Sequence, residues 1–368
     1  MDQIVVGLVP SPGLPEKIPF KIIDELSTNI KKGTNWELNL KFEIKTDPII
    51  GSSEQINKAM NIANRVKKEN NWDYIICLTD LPRFSKKKAI VSDVNINQRV
   101  AIIFLPTLGA INIQTKTRYV ITDVLNYLLL NNTQYKIKQP KRTRMQLNLF
   151  SKIKMINPEE ETNINRRFIM NSSVIGAVHT IIGMTYLNQP WKAITSFTKI
   201  LSLSFATGTY ISIFPTPWQL SAHFSLLRFT MLALISIIGM VFWLIYTHNL
   251  WEPKSSKNKR KYRFIYNITT FITLLVITIA NYLILYTLLT LMVSFFIPET
   301  LFTTWGQASP EHSVINYMRL SWFITSLGII VGAFGSSTQR EKEIRKVTYS
   351  YRQLNRYNRD KSQKRNKI

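Results

Sequence analysis

Cysteine, histidine and acidic residues are scarce in this chain. Its 368 residues include one Cys, four His and 22 Asp and Glu, against 47 Lys and Arg. A single thiol excludes a disulfide framework and a zinc site built from several cysteines. The histidines lie too far apart in the sequence to form a metal motif, and both common glycine-rich phosphate-loop motifs are missing. The sequence therefore points to no particular metal, and any cofactor stays unknown.

Apolar residues, in contrast, are abundant, and the positive charge is concentrated in clusters. Hydrophobic residues make up 45% of the chain and the net charge is +25. This composition is too apolar for a disordered basic protein. Basic clusters at 136–144, at 254–263 and from 340 onward flank long uncharged stretches. Membrane proteins hold their orientation in this way, whereas nucleic-acid binders gather cations along a groove. We therefore expect membrane lipids as partners, with anionic inner-leaflet lipids at the basic clusters, and not nucleic acid.

Four segments are apolar enough to cross a bilayer, which needs roughly 20 residues of helix. They lie near residues 193–213, 226–247, 268–298 and 316–334. The loops at 214–225 and 299–315 hold no Lys or Arg, so four spans place every basic cluster in the cytoplasm, as the positive-inside rule requires. A fifth apolar segment at 168–187 would break this arrangement, and we interpret it as an interfacial or re-entrant helix on the cytoplasmic face.

These patterns divide the chain into five parts. We predict a cytoplasmic α/β domain at 1–130, a basic linker at 131–167, the interfacial or re-entrant helix at 168–190, a four-helix transmembrane domain at 191–337 and a basic tail at 338–368. The predicted location is the cell membrane, with several spans and both termini in the cytoplasm.

Small residues recur on two of the predicted spans. Because lipid supplies no hydrophobic force between helices, close packing depends on small side chains. The residues at spacings of four, which we expect to pack helices within one chain or between chains of a homo-oligomer, are Ser204, Gly208 and Ser212 on the first span and Gly328, Gly332 and Ser336 on the fourth. Arg228 and Arg319 lie near the predicted outer ends, where they could pair with Glu299 or Glu311 or hold a lipid phosphate.

Short apolar strands alternate with helical patterns before residue 130. The predicted strands lie near 4–8, 36–45, 74–78, 89–94 and 100–105, and the predicted helices near 16–32, 52–68 and 116–130. Such alternation favours an α/β fold with a mainly parallel sheet and helices on both faces. Cys77 falls in the middle of a strand, where we expect a buried, inert thiol.

Ligands of parallel sheets bind beyond the carboxyl ends of the strands, where the strand order reverses. Three predicted loops gather there, and their candidate ligand-binding residues are Ser11, Gly13, Thr79, Asp80, Thr107 and Gly109. Asp80 is the best single candidate, although Asp and Gly also end strands simply because turns favour them.

Several stretches resemble a family of uncharacterised membrane proteins of Gram-positive bacteria. They are WDYIICLTDLP at 72–82, VAIIFLPTLGA at 100–110, NQPW at 188–191, LW at 250–251, GAFGS at 332–336 and YSYR at 349–352. Some members carry the label 5,10-methylenetetrahydrofolate dehydrogenase, which implies a folate- and NAD(P)-binding cleft with a glycine-rich nucleotide loop. That loop and a positioned catalytic Lys are missing from this sequence, so no catalytic residue is transferred from the resemblance.

Three functions remain open at this stage. The first is a membrane-anchored protein whose cytoplasmic α/β domain binds a small ligand or a protein partner and is coupled to a four-helix membrane bundle. The second is a transporter or lipid-handling protein, although the predicted spans hold few charges. The third is a membrane-tethered enzyme acting at the strand-end loops, although no acid and base, or nucleophile and base, lie close together in the sequence.

Overall fold

The computed structural model describes residues 3–33, 40–47, 56–130, 146–148, 151–158, 164–252, 260–306 and 313–335. The chain forms two compact units, one ending at Asn188 and the other beginning at Gln189. The basic clusters at 136–144 and from 340 onward, most of the cluster at 254–263, and residues Ser336 and Glu311 lie outside the described residues.

The N-terminal unit is built on one mixed sheet. Its strands are β1 (Ile4–Pro10), β2 (Leu40–Ile44), β3 (Tyr74–Thr79), β4 (Phe84–Ser85), β5 (Lys88–Asn95), β6 (Val100–Phe104), β7 (Gln146–Asn148), β8 (Ser151–Ile156) and β9 (Arg166–Met170). They follow the order β2-β1-β3-β6-β5-β9-β8-β7, with β4 paired to β5. The pairs among β2, β1, β3 and β6 are parallel, and all the other pairs are antiparallel.

The prediction of a mainly parallel sheet is therefore wrong in its second half. Strand β5 follows β4 through a tight hairpin and pairs antiparallel with β6. Strands β8 and β9 then extend the same sheet beyond β5. The unit thus continues past the boundary predicted at residue 130, and part of the predicted basic linker is sheet.

Helices cover both faces of this sheet, as the alternating pattern predicted. They are α1 (Leu14–Gly33), α2 (Ile56–Glu69), α3 (Ile113–Leu130) and α4 (Ser173–Leu187), and a 3₁₀ turn at Leu105–Leu108 follows β6. One core joins α1, α3 and α4 to one face, through residues such as Leu26, Val120 and Leu187. A second core packs α2 on the other face, through Met60 and Ala63. Strands β3 and β6 are buried along their whole length because helices cover both of their faces.

The segment predicted as an interfacial or re-entrant helix is divided between two elements. Residues Phe168, Ile169 and Met170 belong to β9 and are buried in the sheet. Helix α4 begins at Ser173, where the Ser172 hydroxyl accepts a hydrogen bond from the Ile175 amide. Its Gly176 packs against Ala89 of β5. One face of α4 is therefore part of the α/β unit.

The C-terminal unit is helical. Its elements are α5 (Pro190–Ile194), α6 (Thr198–Ile211), α7 (Pro215–His223), α8 (Leu226–Thr247), α9 (Arg260–Phe296), α10 (Thr300–Thr304) and α11 (Ser313–Gly335). Helix α11 packs against α6, α7, α8 and α9 around a core that includes Leu244, Leu285 and Ile324.

Three helices within the described residues are long and apolar enough to cross a membrane, at Leu226–Thr247, Tyr262–Phe296 and Val314–Gly335. The predicted span at 193–213 is different, because a 3₁₀ turn at Thr195–Phe197 separates α5 from α6. Helix α6 has 14 residues, so it is about 21 Å long against a hydrocarbon core of about 30 Å. The predicted count of four spans is thus not confirmed.

Candidate functional site

The carboxyl ends of the parallel strands bring two of the predicted residues together. Ser11 follows β1 and Asp80 follows β3, and the Ser11 hydroxyl donates a hydrogen bond to Asp80 Oδ1 at 3.3 Å. The chain crosses from β2 over β1 to β3, so the strand order reverses between β1 and β3. Both side chains are nonetheless buried, with 0% and 5% exposure. The hydrogen bond between them joins the two loops. A ligand could reach these side chains only from the outer surface of those loops.

The other predicted residues of this edge are less uniform. Gly13 adopts a φ of 105°, a left-handed conformation that favours glycine, directly before α1. The Thr79 hydroxyl accepts a hydrogen bond from the Leu81 amide. The Thr107 hydroxyl is fully buried and donates to the Ile90 carbonyl at 2.8 Å, so it ties the 3₁₀ turn to β5. Thr79 and Thr107 therefore hold backbone in place.

Gly109 lies in a basic recess that the sequence did not reveal. Its φ is 76°, and a Cβ built on it would lie 3.6 Å from His179 Nδ1 and 3.9 Å from Lys116 Nζ. Lys116 belongs to the first turn of α3, and His179 belongs to α4. The space that the absent glycine side chain leaves open is thus flanked by an ammonium group and an imidazole ring. We call Gly109, Lys116 and His179 the basic recess.

Burial disfavours positive charge in the basic recess. Lys116 is 7% exposed, and its Nζ donates to the Leu108 carbonyl at 2.9 Å. Burial lowers the pKa of Lys116. Burial, and secondarily the charge of Lys116, lower the pKa of His179. His179 Nδ1 is buried, and no partner for it is found among the described residues. A negatively charged group between the two side chains would offset both penalties.

Helix α4 holds His179 in place through close backbone contact. A methyl group added to Gly183 would lie 2.8 Å from the carbonyl carbon of Pro106 and still closer to its oxygen, so only glycine fits there. Thr180 is buried between the two glycines of this face, and its hydroxyl donates to the Gly176 carbonyl. The 3₁₀ turn that leads to Gly109 and the helix that carries His179 are therefore packed as one piece.

A buried ion pair links the antiparallel strands beside this edge. Asp93 of β5 and Arg167 of β9 lie directly opposite each other. Arg167 donates to both carboxylate oxygens, at 2.6 and 3.2 Å, and Arg83 lies 3.6 Å away. Asp93 has no exposed surface. This cluster is a structural cross-link of the sheet, and sequence reasoning missed it because its members lie 74 positions apart.

In the helical unit, those predicted small residues that the structure describes lie at helix contacts. Cβ atoms built on Gly328 and Gly332 of α11 would meet Ser204 of α6, and one on Gly208 would meet Leu289 of α9. Ser212 follows α6, and its carbonyl accepts a hydrogen bond from Trp218 Nε1. The first and last predicted spans are therefore in direct contact through their small residues.

The two arginines that we predicted at the outer face have different surroundings. The guanidinium group of Arg319 donates to the carbonyls of Ser221, Ala222 and Phe224 at the end of α7, and it stacks over the Phe229 ring. Arg319 is therefore a helix cap, and its pairing with Glu299 or Glu311, or with a lipid phosphate, stays a prediction. Arg228 lies over the Phe224 ring at 5.8 Å.

Comparisons of this chain with protein-family models, with curated proteins and with solved structures found no match. The resemblance noted from the sequence therefore stays a prediction.

Proposed function

We propose that this chain is a membrane-anchored receptor whose α/β unit binds a small ligand through a carboxylate or phosphate group in the basic recess. The observation that carries the proposal is the position of Lys116 Nζ and His179 Nδ1, both less than 4 Å from the vacant Cβ position of Gly109. Apolar helices that can cross a membrane follow this unit in the same chain.

An oxyanion suits the basic recess for three reasons. The Lys116 ammonium has three donors, of which the Leu108 carbonyl takes one. His179 Nδ1 can supply a further donor when the ring carries its proton there. The recess also lies at the N-terminal turn of α3, where the helix dipole favours negative charge. Charge-assisted hydrogen bonds of this kind are about twice as strong as neutral ones.

The chain connectivity supports a coupling between ligand and membrane helices. His179 lies on α4, and α4 ends at Leu187, two residues before the helical unit begins at Gln189. A ligand that shifts α4 would therefore act on the segment that leads into the membrane helices. In this proposal the α/β unit faces the cytoplasm, because the basic clusters favour that side.

The test is a titration of His179 in the full-length protein in detergent micelles. The histidine side chains are isotopically labelled for NMR. The His179→Gln variant identifies the resonance of His179 by its loss. We expect inorganic phosphate or acetate to raise the pKa of His179, because the anion stabilises the imidazolium form. Sodium chloride at equal ionic strength controls for screening.

Two variants sharpen this experiment. Lys116→Met keeps the length of the aliphatic stem but removes the ammonium group, so it should abolish the effect of phosphate on His179. The matched control is His223→Gln, which removes an exposed histidine of the helical unit and should leave the response of His179 unchanged. If neither anion alters the His179 titration in a folded wild-type protein, the proposal is wrong.

A further inference from the structure

A second site lies in the helical unit and does not depend on the basic recess. A partly open cavity of about 570 Å³ lies between α6, α7, α10 and the C-terminal end of α9. Eight of its ten lining residues are apolar or aromatic, among them Phe205, Trp218, Met292 and Trp305. The volume falls within the range of about 300–1,000 Å³ that is typical of small-molecule sites.

The position of the cavity along α9 indicates which solvent surrounds it. Helix α9 begins at Arg260, and the lining residues Met292 and Phe296 lie at its other end, roughly 48 Å away at 1.5 Å per residue. No charged residue occurs in α9 after Arg263. The lining therefore belongs to the end of an apolar membrane-crossing helix that is opposite to its basic end.

Two tryptophans and one hydroxyl give the cavity a polar side. Trp218 and Trp305 make an edge-to-face contact at 5.5 Å, and tryptophans of this kind mark the interface between membrane and water. The buried Thr209 hydroxyl lines the cavity, and no hydrogen-bond partner for it is found among the described residues. By comparison, the Thr290 hydroxyl of α9 has a partner within its own helix, because it donates a hydrogen bond to the carbonyl of Tyr286.

We propose that this cavity binds one acyl chain of a membrane glycerolipid, and that the Thr209 hydroxyl donates a hydrogen bond to an ester oxygen of that lipid. The hydrocarbon occupies the apolar interior, and the headgroup lies beside the tryptophans at the interface. Phe296 is 72% exposed at the margin of the cavity, so a chain can enter sideways from the surrounding leaflet.

The first experiment is native mass spectrometry of the full chain released from detergent micelles. We expect the wild type to retain one glycerolipid per chain, and Thr209→Phe, which places a ring inside the cavity and removes the hydroxyl, to lose it. Thr209→Val keeps the shape without the hydroxyl and should weaken retention about fivefold, the effect of one neutral hydrogen bond. Leu291→Phe is the matched control, since Leu291 is 64% exposed on the same helix as Met292, and it should retain the lipid.

The second experiment does not depend on the stability of a filled cavity. Trp218 lines the cavity and is only 1% exposed, so a chain inside the cavity would lie closer to it than the surrounding lipids do. In nanodiscs of lipids with brominated acyl chains, the bromine atoms quench nearby tryptophans. We expect the quenched fraction of the fluorescence to be smaller in Trp218→Phe than in the wild type. An equal quenched fraction in both proteins overturns the proposal. Retention of lipid by Thr209→Phe overturns it too, as does an adduct whose mass is that of detergent or free fatty acid.

Discussion

Replacement of Gly183 by alanine tests whether α4 positions the basic recess. The added methyl group would lie 2.8 Å from the carbonyl carbon of Pro106 and 2.9 Å from its Cα. These neighbours are backbone atoms of a buried 3₁₀ turn, so α4 must move by roughly 1 Å to relieve the overlap in a close-packed interior. Overpacking of this kind costs about 1–3 kcal/mol, and the higher helix propensity of alanine offsets up to about 1 kcal/mol of that cost.

We expect two measurable consequences of this variant. Because the overlap is with backbone atoms, the cost should lie in the upper part of that range, at about 2–3 kcal/mol. The net loss of about 1–2 kcal/mol should lower the protection of α4 amides in hydrogen exchange by a factor of about 5–30. Displacement of His179 should also weaken phosphate binding about tenfold or more, because one charge-assisted hydrogen bond is lost. Exchange is read by mass spectrometry of α4 peptides, and phosphate affinity is read from the His179 titration.

Two other glycines provide a graded control. A Cβ on Gly176 would lie 3.1 Å from the side chain of Ala89, so a small adjustment accommodates it and the effect should be intermediate. A Cβ on Gly239 would have no neighbour within 4 Å, so Gly239→Ala should be neutral or stabilising by up to about 1 kcal/mol. If Gly183→Ala matches Gly239→Ala in both hydrogen exchange and phosphate affinity, α4 does not position the basic recess.

Three further substitutions test the α/β unit and the helical unit. Arg167→Met leaves the buried carboxylate of Asp93 with Arg83 at 3.6 Å as its cation, so denaturant unfolding should show a loss of about 3–5 kcal/mol, most of which Asp93→Leu in the same chain restores. Burial raises the pKa of Asp123 from 3.8 to about 6, so the folded state loses stability as the pH rises from 4 to 6. Asp123→Asn should remove that pH dependence and stabilise the protein at pH 7 by about 1–3 kcal/mol. Arg319→Gln removes charged donors to the end of α7. The free energy of unfolding should fall by about 1–3 kcal/mol, which is read as a lower melting temperature in micelles.

The parallel half of the sheet could be predicted because its signals are local. Strands β1, β3 and β6 are uninterrupted apolar runs, which is typical of strands covered on both faces. The antiparallel half could not be predicted in the same way. Strand β9 reads RRFIM, and the buried Arg167 is acceptable there only because Asp93 lies opposite it. That pairing is a long-range contact with no trace in the local pattern.

The candidate site was predicted in part, for a similar reason. Gly109 was selected because it follows a strand, and it does adopt a left-handed conformation. Lys116 read as an ordinary helical residue, and His179 was placed on a helix at the membrane. Their approach to Gly109 depends on α4 folding back over the 3₁₀ turn, a contact between residues 70 positions apart. A clue was present in the glycines at 176 and 183, which share one helix face.

Helix α4 shows why an apolar helix next to a membrane unit is difficult to assign. Its glycine face packs on the sheet, whereas Val174, Val178 and Ile182, four positions apart, form an exposed apolar ridge. Hydropathy alone does not distinguish these two faces, and the hydropathy of the whole helix resembles that of a weak membrane span. The basic clusters disfavour a span at 168–187 and favour an interfacial or re-entrant helix. The exposed ridge is compatible with an interfacial helix, since an apolar face of this kind can lie in the headgroup region. The opposite face of α4 then holds His179 at the basic recess.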